Sequence, residues 1–499
     1  MNHRFNLIRC LLILILSSLI GCGGGEEDED PLPPISVVFT LQAGDEITVA
    51  GFVTVTPGAF ASSSPTGDVG FAIQDSTGSV FVEVDPGLGL DLSGLKLGNL
   101  VEVRGVVGDL NLMVTLTVDE AADVVQNGFN GFLFFPQELQ TADIDLTSAA
   151  PELESEIVTL SGAIQLDPGG SGSEVVEISD LVGPIGWNLW LDDGSGLAQT
   201  FWHTSANLDP TLLSFLNAGT DVEVTGFLNR NDASYEVFPR GNFDISLSIP
   251  DARAMTAGDT VLVRGVIRLP ADALAKVGPY PLHQLQGEHG FSLHEENGSG
   301  IFVSITDPNF TVKNLDGNPM TTKTLGALVV YHSLGVYETI RVHVEGELLA
   351  TTGTDKVIVP LDGGVRLISA NIADPPTAVL ATGGITSGDL GRIVTSSGDL
   401  ESPPTGDPYP GASGWRSVDG GYRARIDDGS GPVNVFLPWR VIDPFPPPSL
   451  PYEIPVLTDL LSWPISIAPG EPLSVTGFLR HSDGEFEIVV LYNQPGFIQ

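Results

Sequence analysis

A signature recurs four times along this chain: a strand-like run ending in glycine, a polar Gly/Ser turn, and a second strand-like run ending in glycine. The first copy has Ile47-Thr48-Val49-Ala50-Gly51, the turn Gln74-Asp75-Ser76-Thr77-Gly78, and Val101-Glu102-Val103-Arg104-Gly105. The second has Val158-Thr159-Leu160-Ser161-Gly162, Asp192-Asp193-Gly194-Ser195-Gly196, and Val222-Glu223-Val224-Thr225-Gly226. The third has Val261-Leu262-Val263-Arg264-Gly265, Asn297-Gly298-Ser299-Gly300, and Val342-His343-Val344-Glu345-Gly346. The fourth has Val394-Thr395-Ser396-Ser397-Gly398, Asp427-Asp428-Gly429-Ser430-Gly431, and Leu473-Ser474-Val475-Thr476-Gly477. An internal repeat at this scale constrains the architecture more than any local pattern does.

Within each copy the apolar residues alternate. Phe71 and Ile73 precede the first turn, Val80, Val82 and Val84 follow it, and Val101 and Val103 lead to the closing glycine. Period-two patterning broken by Gly/Asp/Ser turns predicts half-buried antiparallel strands. Charged residues make up 17% of the chain while glycine (59) and proline (37) abound, which suits many short strands and excludes a disordered polyampholyte. The fold class expected is all-β. Short helices are expected only in insertions, around Leu208 to Leu216, Asp272 to Val277 and Pro455 to Leu461.

A strand ending in glycine, an Ile-x-Asp-x-x-Gly turn and a Gly-x-x-Val-x-Val-x-Gly-x-Val closing strand resemble the OB-fold modules attached to secreted bacterial nucleases and other exported proteins. The first copy carries the pattern best, through Phe71, Ile73, Asp75, Gly78 and Gly98 to Val106. The resemblance implies four tandem five-stranded Greek-key barrels, over residues 36–136, 137–248, 249–372 and 373–499. It also implies a bent first strand at Gly51 or Gly162, and a hairpin between strands two and three made by the Asp-Gly-Ser-Gly segment. Copies two and four are the closer kin: Gly226-Phe227-Leu228 and Gly477-Phe478-Leu479 are each followed by an aromatic-Glu pair, Tyr235-Glu236 and Phe486-Glu487. Copies one and three share the opening Ala-Gly-Asp at Ala43 and Ala257. A two-barrel unit that was later duplicated accounts for this alternation.

The chain opens with Arg4 and Arg9, the apolar run Leu11 to Ile20, then Leu19-Ile20-Gly21-Cys22. The pattern reads as a secretory signal over residues 1–22, with an apolar run too short to span a bilayer. Leu19 to Cys22 resembles the lipobox of bacterial lipoproteins, which implies that Cys22 is acylated and becomes the new N-terminus. Gly23, rather than aspartate, after the cysteine implies the outer membrane, on its periplasmic or cell-surface side. Residues 23–35 combine Gly23-Gly24-Gly25, the acidic run Glu26 to Asp30, and Pro31, Pro33 and Pro34, and read as an extended tether. With Cys10 removed, Cys22 is the sole remaining cysteine, so no intrachain disulfide forms. The whole chain carries 21 basic and 63 acidic residues, a net charge of −42. That balance opposes nucleic acid, whose binding needs a basic stripe to displace counterions.

Three residue sets invite a chemical reading. Asp192, Asp193, Asp427 and Asp428 offer paired carboxylates, and calcium is the cofactor they would take. They lack the spaced ligands of a calcium loop, and a hairpin turn is the simpler reading. All six tryptophans lie in copies two and four. Trp187, Trp190, Trp202 and Trp439 flank the strand-two/strand-three hairpin, where OB-folds stack bases or sugars. The alternative is that they fill barrel ends and seams. His283, His289, His294, His332 and His343 cluster in copy three and are expected on surface loops rather than around a metal. No nucleophile elbow, zinc-protease motif or phosphate loop occurs, so no catalytic residue is expected. The expected function is a non-enzymatic, lipid-anchored envelope protein, a scaffold or binding subunit for a partner protein or glycan. The alternative is a nucleic-acid-handling accessory, serving DNA uptake or a secreted nuclease.

Overall fold

The computed structural model describes residues 31–499 apart from 61–69, 111, 130–135, 145–152, 180–182, 207, 209–214, 232–233, 270–289, 306–309, 314–318, 322–338, 351–355, 373–376, 403–406, 410–411, 419–420, 439–466, 483 and 491–499. The expected signal, Cys22, most of the tether and the three expected insertion helices fall wholly or mainly outside these residues.

In the first repeat the strands Glu46–Val55, Phe71–Gln74, Ser79–Val84, Asn99–Leu110 and Met113–Val118 pair in the order one-two-three-five-four, and strand four returns to strand one. Strands three and five run parallel, with Phe81 opposite Thr115, and the other contacts are antiparallel. That is the closed Greek-key circuit of an OB barrel. The same circuit closes in the second repeat through Ile157–Gln165, Pro184–Asp192, Leu197–His203, Asp221–Asn231 and Ser234–Phe238. It closes again through Thr260–Leu269, Gly290–His294, Gly300–Ser304, Thr339–Ala350 and Lys356–Ile372, and through Ile393–Glu401, Gly421–Asp427, Val433–Pro438, Pro472–Ser482 and Glu485–Val490. These circuits are called barrels one to four below. The fold is all-β with closed OB-type barrels.

The repeated glycines have a steric cause. Strand one pairs with strand four along its first seven residues and takes up strand two from Phe52, Ala163, Val266 and Asp399. The residue just before each crossing is Gly51, Gly162, Gly265 or Gly398. A Cβ there would sit 2.5–3.1 Å from backbone atoms of Gln74, Asp192, His294 or Asp427. Backbone meets backbone at that corner, so no side chain fits.

Alternation separates inside from outside. Val80, Val82 and Val84 fill barrel one with Val49, Val53, Phe71, Ile73, Val101, Val103 and Leu116, while Phe81 points out of it and joins a different apolar cluster. A short helical segment precedes each barrel: Ile35–Thr40, Thr141–Ile144, Ile249–Ala254 and Thr382–Gly384. The third is the one described α-helix. Ser248 caps it, accepting the Asp251 N–H at 3.1 Å, and proline occupies its first turn. Barrels two and three share a continuous sheet, because Ile245–Leu247 pairs with the fourth strand of one and the first strand of the other. The expected boundary at residues 248–249 thus lies inside a hydrogen-bonded connection rather than a loose linker.

Candidate functional site

The turn after strand two does the same task in every barrel. Asp75 accepts the Ile35 N–H at 2.9 Å, and the Thr77 hydroxyl accepts the Ser36 N–H at 3.1 Å. In barrel two Asp193 accepts the Thr141 hydroxyl (2.6 Å) and N–H (3.2 Å), and Ser195 accepts the Ala142 N–H at 3.0 Å. In barrel four Asp428 accepts the Thr382 hydroxyl (2.8 Å) and N–H (3.2 Å), and Ser430 accepts the Gly383 N–H at 2.8 Å. In barrel three Glu295 accepts the Ile249 N–H. Each carboxylate therefore ties the free N–H groups of the preceding segment to its barrel, as helix starts require.

This latch accounts for the four aspartates that resembled a cation site. The Ser195 hydroxyl, then that of Thr141, holds the Asp193 carboxyl far below the usual range. The hydroxyls of Ser430 and Thr382 do the same for Asp428. Asp192 and Asp427 turn inward on their own loops, accepting the N–H of Gly194 and Gly429, both at 2.7 Å. Among the described residues no group of three or more His, Cys, Asp or Glu side chains converges as a metal site. The geometry of all four is that of a turn and its latch.

Among the described residues, the candidate tryptophans Trp187, Trp190 and Trp202 are packed away rather than displayed as a stacking platform. Trp202 is fully buried in the core of barrel two and Trp190 is 8% exposed. Trp187 lies opposite Trp202 across the hairpin and packs against the same core. Inward-pointing positions at the barrel end need bulk to fill them, and that is the role Trp187 and Trp202 play. Trp439 lies outside the described residues. Of the histidines, His294 and His343 are buried and the other three of that cluster lie outside the described residues. This corrects the expectation of surface loops for the two that can be placed. Burial, reinforced by the Arg264 charge, pushes His343 down to about 3, and its ring nitrogen bonds the Ile245 carbonyl at 3.0 Å.

OB barrels take ligands on the outer face of strands two and three and the adjoining loops. In barrel one that face carries Ala72 and Phe81, flanked by Phe60 and Met113, and all four join the apolar cluster of barrel two. Phe60 and Phe81 pack on Phe227 with ring centroids 5.6 and 5.7 Å apart. In barrel three the outward Phe302 and His294 pack on Phe478 of barrel four at 6.1 and 6.0 Å. The seams consume both faces. Sequence reasoning missed this, although an aromatic in an outward position, between two inward valines in Val80-Phe81-Val82, was a usable signal.

The described concavity of greatest interest lies between barrels two and three and has a volume of about 600 Å³. Asp192, Asp193, Asp221 and Glu223 line it from barrel two, and Glu295 and Glu296 from barrel three. Arg264 and Arg341 are its cations, and both are committed. Arg264 pairs with Glu223 and bonds Thr225 at 2.9 Å, and Arg341 bonds Glu296 at 2.5 Å. Burial, with the charges of Glu223 and Asp251, pushes the Glu295 carboxyl up to about 7 against the pull of its two hydrogen-bond donors. The cleft is a site of negative potential with a carboxyl that titrates near neutrality.

No known protein family matches the chain, and no curated protein does. Solved structures do. One is the p204 HINb domain, 12% identical over 39% of this chain and 93% of that one, with a TM-score of 0.22. Another is a murine DNA-binding protein bound to double-stranded DNA, 10% identical over 38% and 92%, with a TM-score of 0.22. A third is a replication protein A heterotrimer bound to single-stranded DNA, 11% identical over 69% and 96%, with a TM-score of 0.20. Likeness this low carries no argument about ligand, and the assignment of the fold rests on the strand pairing.

Proposed function

We propose that the chain is a non-enzymatic, lipid-anchored cell-envelope protein, a scaffold or binding subunit for a partner protein or glycan. The observation that carries the scaffold reading is the use of the barrel-one and barrel-three ligand faces as internal seams. A chain that spends these faces on holding its own barrels together is built for fixed geometry. The anchor rests on Leu19 to Cys22, which resembles a lipobox, and on the acidic, proline-rich tether behind it. Nucleic-acid handling is the weaker reading, because the concavity described between barrels two and three is lined by carboxylates and the net charge is −42.

One experiment in a Gram-negative host addresses both halves. Labelled palmitate should enter the wild-type protein and not Cys22→Ser, which should accumulate as unprocessed precursor. The purified wild type should bind no single-stranded DNA in EDTA at physiological salt. Label on the serine variant at wild-type level ends the anchor reading. A micromolar complex that weakens as salt rises ends the scaffold reading in favour of nucleic acid.

A further inference from the structure

The latch of barrel three differs from the others in construction. In barrels two and four one aspartate performs two tasks: it accepts the N–H two residues on, shaping the turn, and it ties down the preceding segment. Barrel three has one more residue in this hairpin, since His294 pairs with Gly300 where Asp192 pairs with Leu197. The tasks are divided there. Asn297 shapes the turn, accepting the Ser299 N–H at 2.7 Å, and Glu295 alone reaches the segment. Its carboxyl accepts from the Ile249 N–H and the Asn297 amide (3.0 Å), where its counterparts also accept from a serine or threonine hydroxyl.

The segment it holds is the helix Ile249–Ala254, the connection between barrels two and three. The groups around Glu295 are mostly acidic. Asp251 faces it from the helix and Glu223 from the fourth strand of barrel two. Asp192 and Asp193 line the same cleft from the barrel-two hairpin. Glu296, in its own loop, is occupied by Arg341, and Arg264 is occupied by Glu223, Thr225 and the Phe243 carbonyl.

We propose that Glu295 makes the joint between barrels two and three proton-sensitive: the helix is held while the Glu295 carboxyl is neutral and loosens when it ionises. A carboxyl with a folded-state value near 7 and an ordinary value of 4.5 binds its proton more tightly in the closed joint. The support this gives is complete below the ordinary value and is lost as pH rises from there to about 7, where the closed joint ionises as well. His343, buried at the same joint and depressed to about 3, works the other way, withdrawing stability as pH falls below its ordinary 6.5. A comparison of the wild type with Glu295→Gln at each pH cancels the histidine, since the amide mimics the neutral acid and cannot ionise.

Hydrogen exchange of a peptide covering 249–254 reads the joint directly. At pH 4 the full-length wild type and Glu295→Gln should exchange alike. At pH 8 the wild type should exchange faster, by up to about three-hundredfold, the equivalent of the rise from 4.5 to about 7. Equal rates at both pH values overturn the proposal, and so does a difference already complete at pH 4. A second measurement needs no variant. In the wild type, exchange in 249–254 relative to 382–384, which Asp428 holds, should rise between about pH 5 and 7 and level off above it, and a constant ratio overturns the proposal.

Discussion

The seam between barrels one and two and the seam between barrels three and four use the same residues twice. Phe81 and Phe302 point outward from the third strands of barrels one and three, and Phe227 and Phe478 follow the closing glycines of barrels two and four. Each outward ring meets its partner at a tilt, 59° in the first seam and 49° in the second. Around this shared centre the seams diverge. The first adds Phe60 and Phe238, the Ser205 hydroxyl on the Ala59 carbonyl (2.7 Å) and Arg240 on the Thr54 carbonyl (2.9 Å). Arg240 is itself clamped by Asp244 through two bonds of 2.7 Å. In the second the backbones of Gly300 and Gly391 approach directly and Arg253 reaches the carbonyls of both Gly300 and Leu390. A shared centre with different margins is what duplication of a two-barrel unit followed by separate refinement would leave.

The largest effect should come from removing the centre of either seam. Phe227 and Phe478 are both 2% exposed, and truncating a buried phenylalanine costs about 3–5 kcal/mol. Phe227→Ala and Phe478→Ala should both fall in this range, because each ring meets two others, Phe60 and Phe81 in the first seam and Phe302 and His294 in the second. Urea unfolding of the two variants measures this. A loss below about 1 kcal/mol for either would mean that the seams are not held by these rings.

The repeat made the barrels legible because its glycines mark backbone collisions, and a collision admits no substitute. The same holds for the hairpins, where Asp193 and Asp428 sit before Gly194 and Gly429, both at φ 92°. The seams were not legible. An outward Phe81 looks like any strand aromatic until barrel two is seen to cover it, and Trp202 looks like a stacking residue until its pairing with Trp187 places it at the barrel's end. The latch was half visible: the acidic turn was plain, but its partners lie 40 to 54 residues away in Ile35, Thr141 and Thr382 or their neighbours. Pairings at that separation depend on which segment the barrel places beside the turn.

The second prediction tests the margins. Ser155 and Gly391 occupy equivalent positions, each donating its N–H to the leucine after the seam phenylalanine, Leu228 or Leu479. Both have left-handed backbone, φ 68° and 84°. With Leu112, Ser155 is one of two non-glycine residues so held among the described residues, and both belong to the first seam. Its hydroxyl has room to meet the Met113 sulfur at 3.6 Å, whereas a Cβ on Gly391 would strike Gly300. Gly391→Ser should therefore cost about 2–4 kcal/mol from overpacking and strain. Ser155→Gly should stay within about 1 kcal/mol of wild type, relief of strain offsetting a lost contact and a freer unfolded chain. Equal costs would show that the two margins are interchangeable.

The smallest effect concerns the latches, where barrels two and four should respond to pH in the opposite sense to barrel three. Hydroxyl donors hold the Asp193 and Asp428 carboxyls below their ordinary 3.8, so the closed segments favour the ionised form. That support is complete above the ordinary value and fades as pH falls below about 4 towards the folded-state value, since the unfolded chain then binds the proton more readily. Both carboxylates are solvent-exposed, so the effect should be local to the segments and leave global unfolding almost unchanged. Hydrogen exchange of peptides covering 141–144 and 382–384 should speed up between pH 5 and pH 3 relative to barrel strands such as 222–228. Asp193→Asn and Asp428→Asn should raise exchange in their own segment at pH 5 and flatten its response to acid. If the asparagine variants keep the wild-type acid response, the segments are held by packing rather than by the carboxylates, and the common latch is only a geometric coincidence of the repeat.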